Sequence, residues 1–245
     1  MGACNELAHR AALAVVESPE TAFRPLFLHG GCGLGKTHLL QGICNAIALH
    51  YPARRWCYLS GEEFTNEFIY AVKAGRIDAF RARFRKVDLL LIDDIHFLAN
   101  KRATQEEFLH TFNAIDGCGR TIVLSSDRHP RSIAQVSEPL INRLIAGMVC
   151  EISPPDHTVR VEVLRRRAAQ MNVPIPEDVL ELLARRITRN VRELEGALFK
   201  LAALASLARE DITVALARTA LADYLAPEHG PIEVGDVELL VAQHF

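Results

Sequence analysis

No apolar run in this sequence reaches the roughly 18–20 residues that a helix needs to cross a bilayer. The first ten residues, MGACNELAHR, lack the charged-then-apolar layout of a secretion signal. Met-Gly can begin a myristoylation signal, but Glu6 stands where that signal wants Ser or Thr. The six cysteines (Cys4, Cys32, Cys44, Cys57, Cys118, Cys150) include no C-x-x-C pair. That argues against a zinc site or a disulfide framework and for reduced thiols in a cytoplasmic protein. A surplus of one charge is missing too: 28 Lys and Arg face 30 Asp and Glu. Affinity for nucleic acid must therefore come from local clusters. There is no internal repeat and no low-complexity tract. With 49% hydrophobic and 24% charged residues, a wholly disordered chain is excluded. A length of 245 residues fits one large domain or a domain with a subdomain.

What the sequence does have is alternation. Leu26–His29 is a short apolar run after Pro25, followed by Leu39, Leu40, Ile43, Cys44 and Ile47 at helical spacing. Trp56–Ser60 predicts a strand. Ser60 opens a capping box with Glu63, and Phe64, Phe68 and Val72 continue one helical face. Ile77, Phe80 and Phe84 mark a further short helix. Residues 87–93 (VDLLLID) are nearly all apolar, as a strand buried on both faces should be. Thr104 and Glu107 suggest a second capping box ahead of Phe108, Phe112 and Ile115. Residues 120–126 and 148–152 supply two more strands. This order predicts an α/β fold, a five-stranded parallel sheet with helices on both faces.

The character changes at Pro154-Pro155. After it only helical patterns occur, over residues 158–171, 178–188, 190–207 and 213–225. The expected organisation is an α/β base over residues 1–157 and an all-helical subdomain over 158–225. Residues 226–245 are read as a linker (Pro227, Gly230, Pro231) and the start of a further domain, where Val237, Leu240 and Val241 begin a new amphipathic pattern.

Residues 30–37, GGCGLGKT, fit G-x-x-x-x-G-K-T, placed after a strand and opening a helix. Glycines let backbone N–H groups turn inward around phosphate oxygens, and the helix N-terminus adds partial positive charge. Lys36 is expected at the β- and γ-phosphates and Thr37 at Mg²⁺. The candidate nucleotide-binding set is Gly30, Gly31, Gly33, Leu34, Gly35, Lys36, Thr37 and His38. LLLIDD, ending in Asp93 and Asp94, brings carboxylates to the end of a buried strand. Asp93 is the metal-side residue with Thr37, and Asp94 is the candidate for orienting the attacking water. Asp127 closes the next strand behind Ser125 and Ser126. Arg143 and Arg192 lie in a short helix and in the first turn of a long one, where arginines can stabilise transferring phosphate. Residues 73–86 hold six basic residues against one acid, either a solvated face or a phosphate-backbone contact.

GGCGLGKTHLL, EEFTNEFI, LLLIDDIHFL, TQEEFLHTFNA, SSDRHP and NVRELEGAL together resemble the DnaA family of chromosomal replication initiators, within the AAA+ ATPases. The resemblance covers residues 5–224. The phosphate loop and acidic strand occur in many ATPases; FTNEF, TQEEFLHTFNA and VRELEGAL are far more specific. It implies a P-loop AAA+ module with a helical lid. Such a module binds ATP or ADP with Mg²⁺ and hydrolyses ATP slowly as a switch. In the ATP state it associates head to tail and helps open the origin by binding single-stranded DNA. It further implies that Asp127 is the sensor 1 residue, that Arg143 is an arginine finger acting on a neighbour's nucleotide, and that Arg192 is the sensor 2 arginine. Ile69, Lys101 and Arg102 fall at or beside positions the family uses on single strands. A replicative helicase and acidic phospholipid are further partners by the same analogy.

Around Arg143 the family's R-L-x-S-R-F pattern reads Pro139-Leu140-Ile141-Asn142-Arg143-Leu144, keeping the finger and changing its flanks. The family's duplex-reading helix-turn-helix domain and its N-terminal interaction domain have no counterpart in the 245 residues. Two other readings share the layout, an AAA+ helicase loader and a non-hydrolysing adaptor. Intact Lys36, Asp93, Asp127, Arg143 and Arg192 speak against the adaptor. No helicase-binding extension is visible for the loader.

Overall fold

The computed structural model describes residue 2, residues 4–18 and residues 23–225; the linker and further-domain start expected over 226–245 lie outside them. Helix α1 (Glu6–Glu17) precedes β1 (Leu26–His29), α2 (Lys36–His50), β2 (Trp56–Ser60), α3 (Gly61–Lys73), α4 (Ile77–Arg85) and β3 (Leu89–Asp93). A 3-10 turn (Ile95–Leu98) then leads into α5 (Arg102–Asp116), β4 (Thr121–Ser126), α6 (Glu138–Leu144) and β5 (Met148–Glu151). The remaining helices are α7 (His157–Met171), α8 (Glu177–Arg186), α9 (Val191–Ala208), α10 (Val214–Ala220) and α11 (Ala222–Leu225).

All strand pairs are parallel, in the order β2-β3-β4-β1-β5. Because side chains alternate along a strand, β3 serves two cores. Leu89 and Leu91 pack with Leu40, Ile43 and Val123 on one face, while Leu90 and Ile92 pack with Phe64, Phe108 and Phe112 on the other. Every residue of β3 and β4 is buried, which is why both read as continuous apolar runs. β1 sits between β4 and β5, so the order reverses beside it. In open α/β sheets the crevice outside the carboxyl ends of the strands at such a point is where ligands bind. Gly30, Asp93 and Asp127 all follow or end strands on that edge.

The capping box at Ser60 is present: its hydroxyl accepts from the Glu63 N–H at 3.1 Å and Glu63 accepts from the Ser60 N–H at 2.7 Å. The second box is not where the spacing suggested. α5 starts two residues before Thr104, and both Thr104 and Glu107 are buried inside it. Glu107 instead receives Arg81 at 2.8 Å and Arg85 at 2.7 Å, pinning α4 to α5. A cluster of Phe64, Phe80, Phe84 and Phe108, with ring centroids 4.8–5.4 Å apart, anchors the α3–α4 pair beside that bond. The pattern over 213–225 resolves into two short helices broken at Leu221.

The chain divides into two compact units. The first runs to Arg160 and takes in Arg189–Arg192; the second comprises Val161–Thr188 and continues from Glu193. The buried core of the second is Leu, Val, Ile and Ala throughout, built from α7, α8, α9 and α10.

Candidate functional site

β1 delivers the chain into the phosphate loop, and the loop residues have little freedom. Gly30 lies so close to Ile152 that a Cβ would run into its backbone carbonyl. Gly35, the residue before α2, has φ 95°, a left-handed conformation that costs glycine nothing. Gly31, Gly33 and Leu34 complete the turn. Lys36, in the first turn of α2, is only 7% exposed. Its Nζ donates to Gly30 O at 2.7 Å and Gly31 O at 2.8 Å, so two carbonyls offset the cost of burying the cation. The unsatisfied N–H groups at the start of the 15-residue α2 face the same loop.

The end of β3 meets that loop at one hydrogen bond: Thr37 Oγ1 donates to Asp93 Oδ2 at 2.7 Å. Asp93 is 5% exposed and also accepts from the Tyr58 hydroxyl at 3.0 Å and from the Ser125 hydroxyl. Ser125 in turn accepts from the Asp94 N–H at 2.9 Å. Burial, with the Asp93 charge next, raises the Tyr58 pKa, so the phenol stays a donor. Asp94 turns out of the strand with φ 53° and ψ 54°, a conformation Asp tolerates better than most residues. Burial and then neighbouring Asp93 hold its carboxyl above the usual carboxylate range. Asp127 is the opposite case: a two-pronged bond from Arg128, at 2.5–3.1 Å, holds its carboxyl below that range. His96 stands between the two, its Nδ1 3.5 Å from Asp127 Oδ1 and 3.9 Å from Asp94 Oδ1.

Arg192 reaches the phosphate loop, where its Nη1 donates to Cys32 Sγ at 3.1 Å and the Val191 N–H donates to Gly33 O at 3.1 Å. A cavity of about 270 Å³ beside the loop is lined by Asn5, His9, Leu34, Gly35, His38, Leu39 and Ile152. Arg143 is not in this cluster. It is exposed on α6, and its guanidinium makes no hydrogen bond or ion pair among the described residues. Its altered flanks are accommodated: Pro139 occupies the first turn of α6, where proline is tolerated, and Leu140 and Leu144 are buried at 1% exposure.

The surface residues lie elsewhere again. Ile69 is 43% exposed on α3. Lys101 precedes α5, and Arg102 opens it with a solvent-facing bond to Glu106 at 3.2 Å. The basic stretch over 73–86 is less available than its charge count suggests. Arg81 and Arg85 are taken by Glu107, and Arg83 pairs with Glu67 at 2.5 Å. Lys73, Arg76 and Lys86 make no ion pair among the described residues.

Two side chains of the cluster have no role in the sequence reading, Tyr58 and His96; Ser125 stands in it as a polar residue at the end of an apolar strand. Tyr58 and His96 owe their roles to strand pairing and to a 3-10 turn that no spacing encodes. All six cysteines are free, and among the described residues no helix is long and apolar enough to cross a membrane.

Residues 1–151 match the family model described as the bacterial DnaA ATPase domain. The chromosomal replication initiator protein DnaA of Thermus thermophilus is 47% identical over 247 residues, covering 100% of this chain. The chain spans 56% of that relative's length, so about half. Domain III of the Thermotoga maritima replication initiation protein DnaA superposes with a TM-score of 0.88 at 36% identity, covering 93% of this chain and 95% of that one. A replication initiator DnaA bound to AMPPCP and single-stranded DNA gives a TM-score of 0.76 at 34% identity, covering 84% of this chain and 62% of that one. The five-stranded parallel sheet with a phosphate loop closed by Lys36, the Thr37–Asp93 bond and these matches agree, and the chain belongs to the DnaA family of AAA+ ATPases.

Proposed function

We propose that this chain is the ATP-binding and slowly hydrolysing module of a bacterial chromosomal replication initiator. The observation that supports it most directly is the Thr37–Asp93 hydrogen bond, which joins residues 56 apart in sequence directly under the loop that Lys36 closes. In this reading Lys36 exchanges its carbonyl contacts for β- and γ-phosphate oxygens of ATP or ADP. Backbone N–H groups of residues 31–37 and the start of α2 donate to the other oxygens. The cavity at His38 and Leu39 receives the base, since it adjoins the loop and its walls combine aliphatic Leu34, Leu39 and Ile152 with polar Asn5, His9 and His38.

The donor set fits Mg²⁺, which prefers hard oxygen ligands: the Thr37 hydroxyl and the Asp93 carboxylate would hold it, directly or through water. When bound it neutralises charge on the phosphate oxygens. Tyr58 and Ser125 fix the Asp93 carboxylate, so its orientation is set before nucleotide arrives. Asp94 orients the attacking water and Asp127 contacts the γ-phosphate side. Arg192 acts in cis from beside Cys32. Arg143, exposed and without an ion pair among the described residues, is available to the nucleotide of a neighbouring copy. Head-to-tail contacts of that kind build rings or open filaments, depending on whether the rotation closes.

Ile69, Lys101 and Arg102 are the proposed single-strand contacts. A few phosphates per subunit give weak, salt-sensitive binding, which an ATP-assembled array multiplies. A replicative helicase and acidic phospholipid as partners rest on kinship alone. The test is titration of labelled ATP and single-turnover hydrolysis with Mg²⁺. Anisotropy on single-stranded DNA with ATP and with ADP completes it. ATP binding, slow turnover and ATP-dependent DNA binding are expected. Equal single-strand binding with ATP and ADP would detach DNA contact from the switch.

A further inference from the structure

His96 carries no role in the reading above, yet it occupies the gap between the two carboxylates that frame the reacting phosphate there. Its Nδ1 is buried and has no hydrogen bond, 3.5 Å from Asp127 Oδ1 and 3.9 Å from Asp94 Oδ1. Both distances exceed a good N–H···O bond by several tenths of an ångström. The ring is held in place by stacking on Phe97, with centroids 4.7 Å apart and planes 28° from parallel. A small rotation therefore brings Nδ1 within bonding distance of one oxygen or the other, but not of both.

The two acceptors are unequal. Arg128 already supplies Asp127 with three short contacts. Among the described residues no side chain donates a hydrogen bond to the Asp94 carboxylate; only its backbone is bonded, the N–H donating to Ser125 Oγ and the carbonyl accepting from the Phe97 N–H. Asp94 is thus the carboxylate that lacks a rotamer lock, and His96 is the donor within reach.

We infer that His96 is a positioning residue for hydrolysis: its Nδ1–H swings between Asp127 and Asp94 and, when bonded to Asp94 Oδ1, aims the other carboxylate oxygen at the attacking water. Because it also faces Asp127, it couples the γ-phosphate side of the site to the water side through one donor. His96 touches neither phosphate nor metal in this scheme, and acts through Asp94. The inference rests on the roles proposed above for Asp94 and Asp127.

The experiment compares His96→Phe, which keeps the stack on Phe97 and removes the donor, with His96→Asn, which places an amide N–H near the Nδ1 position. ATP affinity, single-turnover hydrolysis and thermal melting are measured on the full 245-residue chain. A lost charge-assisted hydrogen bond lowers the rate about tenfold or more. His96→Phe is expected to show that loss with ATP affinity and melting near wild type, and His96→Asn to stay within about threefold of wild type. Normal hydrolysis in His96→Phe overturns the inference. So does an equal fall in both variants, which would assign the effect to ring packing. A wild-type chain that binds ATP but never hydrolyses it overturns the hydrolytic reading itself and His96's role with it. That result is distinguishable because it appears without any variant.

Discussion

The α/β unit and the helical unit bury different chemistry. The buried polar and charged residues among those described are Lys36, Thr65, Asp93, Thr104, Gln105, Glu107, Thr111, Thr121, Ser125 and Ser126, and every one belongs to the first unit. The buried core of the second is aliphatic throughout. A buried polar group destabilises the fold unless it is hydrogen-bonded, so polarity is retained where something holds it in place. In the first unit much of it lies at the carboxyl edge of the sheet, where Lys36, Asp93 and Ser125 interlock, or at the α4–α5 junction, where Glu107 gathers two arginines. Gln105 shows the same economy away from the site: its amide donates to Leu98 O and Gln135 O at 2.9 Å and accepts from the Ser137 N–H at 2.9 Å. The helical unit buries no such residue among those described, and its ion pairs, such as Arg165–Glu177 at 2.5 Å, lie at the surface.

The sharpest way to break this contrast is to put a polar group where the second unit has none. Leu198 is fully buried in α9. Leu198→Asn loses at least the ~2–5 kcal/mol of a large-to-small core substitution and adds an unsatisfied amide. Denaturant unfolding is expected to show the helical unit melting early; a change under about 1 kcal/mol would show that its core tolerates polarity after all.

A smaller effect, on binding rather than folding, is expected in the first unit. Lys36→Ala removes the only side-chain cation of the phosphate loop. Charge-assisted contacts are worth roughly 1.5–3 kcal/mol each, so ATP affinity falls at least tenfold. Titration of labelled ATP is the measurement, and unchanged affinity defeats the assignment of Lys36 to phosphate.

Most of the first unit's sheet was legible because buried parallel strands are continuous apolar runs, and Leu26–His29 and Trp56–Ser60 were bounded to the residue. Helix α1 lies outside the expected elements although its pattern is plain: Ala8, Ala11, Ala12, Val15 and Val16 are buried at helical spacing. The Thr104–Glu107 box failed for a physical reason. Local spacing matched a cap, but Arg81 and Arg85, over twenty residues away in sequence, claimed Glu107 and the helix began earlier. The charge count over 73–86 overstates the available cations in the same way, since charge counted along a sequence ignores the partners that folding supplies. At the site, loop and strand signals named Lys36, Thr37 and Asp93 because each lies inside a contiguous pattern. What Tyr58 and His96 contact is decided by strand register and turn geometry, which no contiguous pattern carries.

Asp94 tests whether the first unit gives up stability for its site. Burial and Asp93 raise its pKa, so the folded state resists its ionisation. Below the ordinary Asp pKa of about 4 the group is protonated in both states and exerts no effect. As pH rises through the raised folded value, stability is lost. Asp94→Asn is therefore expected to melt higher than wild type near pH 7 and to lose that advantage as pH falls below about 4, while failing in hydrolysis. The side chain is 38% exposed, and solvent screening keeps the gain smaller than either effect above. A variant no more stable than wild type at neutral pH would mean that the site carries no such strain.

The smallest effect on the isolated chain is expected at Arg143, and its contrast with the next residue makes it informative. Arg143 and Leu144 close the same short helix, one exposed and unpaired among the described residues, the other 1% exposed in the core beneath the sheet. Leu144→Ala should therefore lower stability by roughly 2–5 kcal/mol. Arg143→Ala removes no side-chain hydrogen bond or ion pair that the described residues make, so stability should change by less than about 0.5 kcal/mol and ATP affinity of the monomer should stay near wild type. If Arg143 reaches a neighbour's nucleotide, the loss appears only in company: sedimentation with ATP should show wild type assembling and Arg143→Ala remaining small, while with ADP both stay small. Pro139 and Leu144 set the pitch and depth of α6 and hence where the guanidinium points. An Arg143→Ala chain that assembles normally would therefore remove the finger role from this helix altogether.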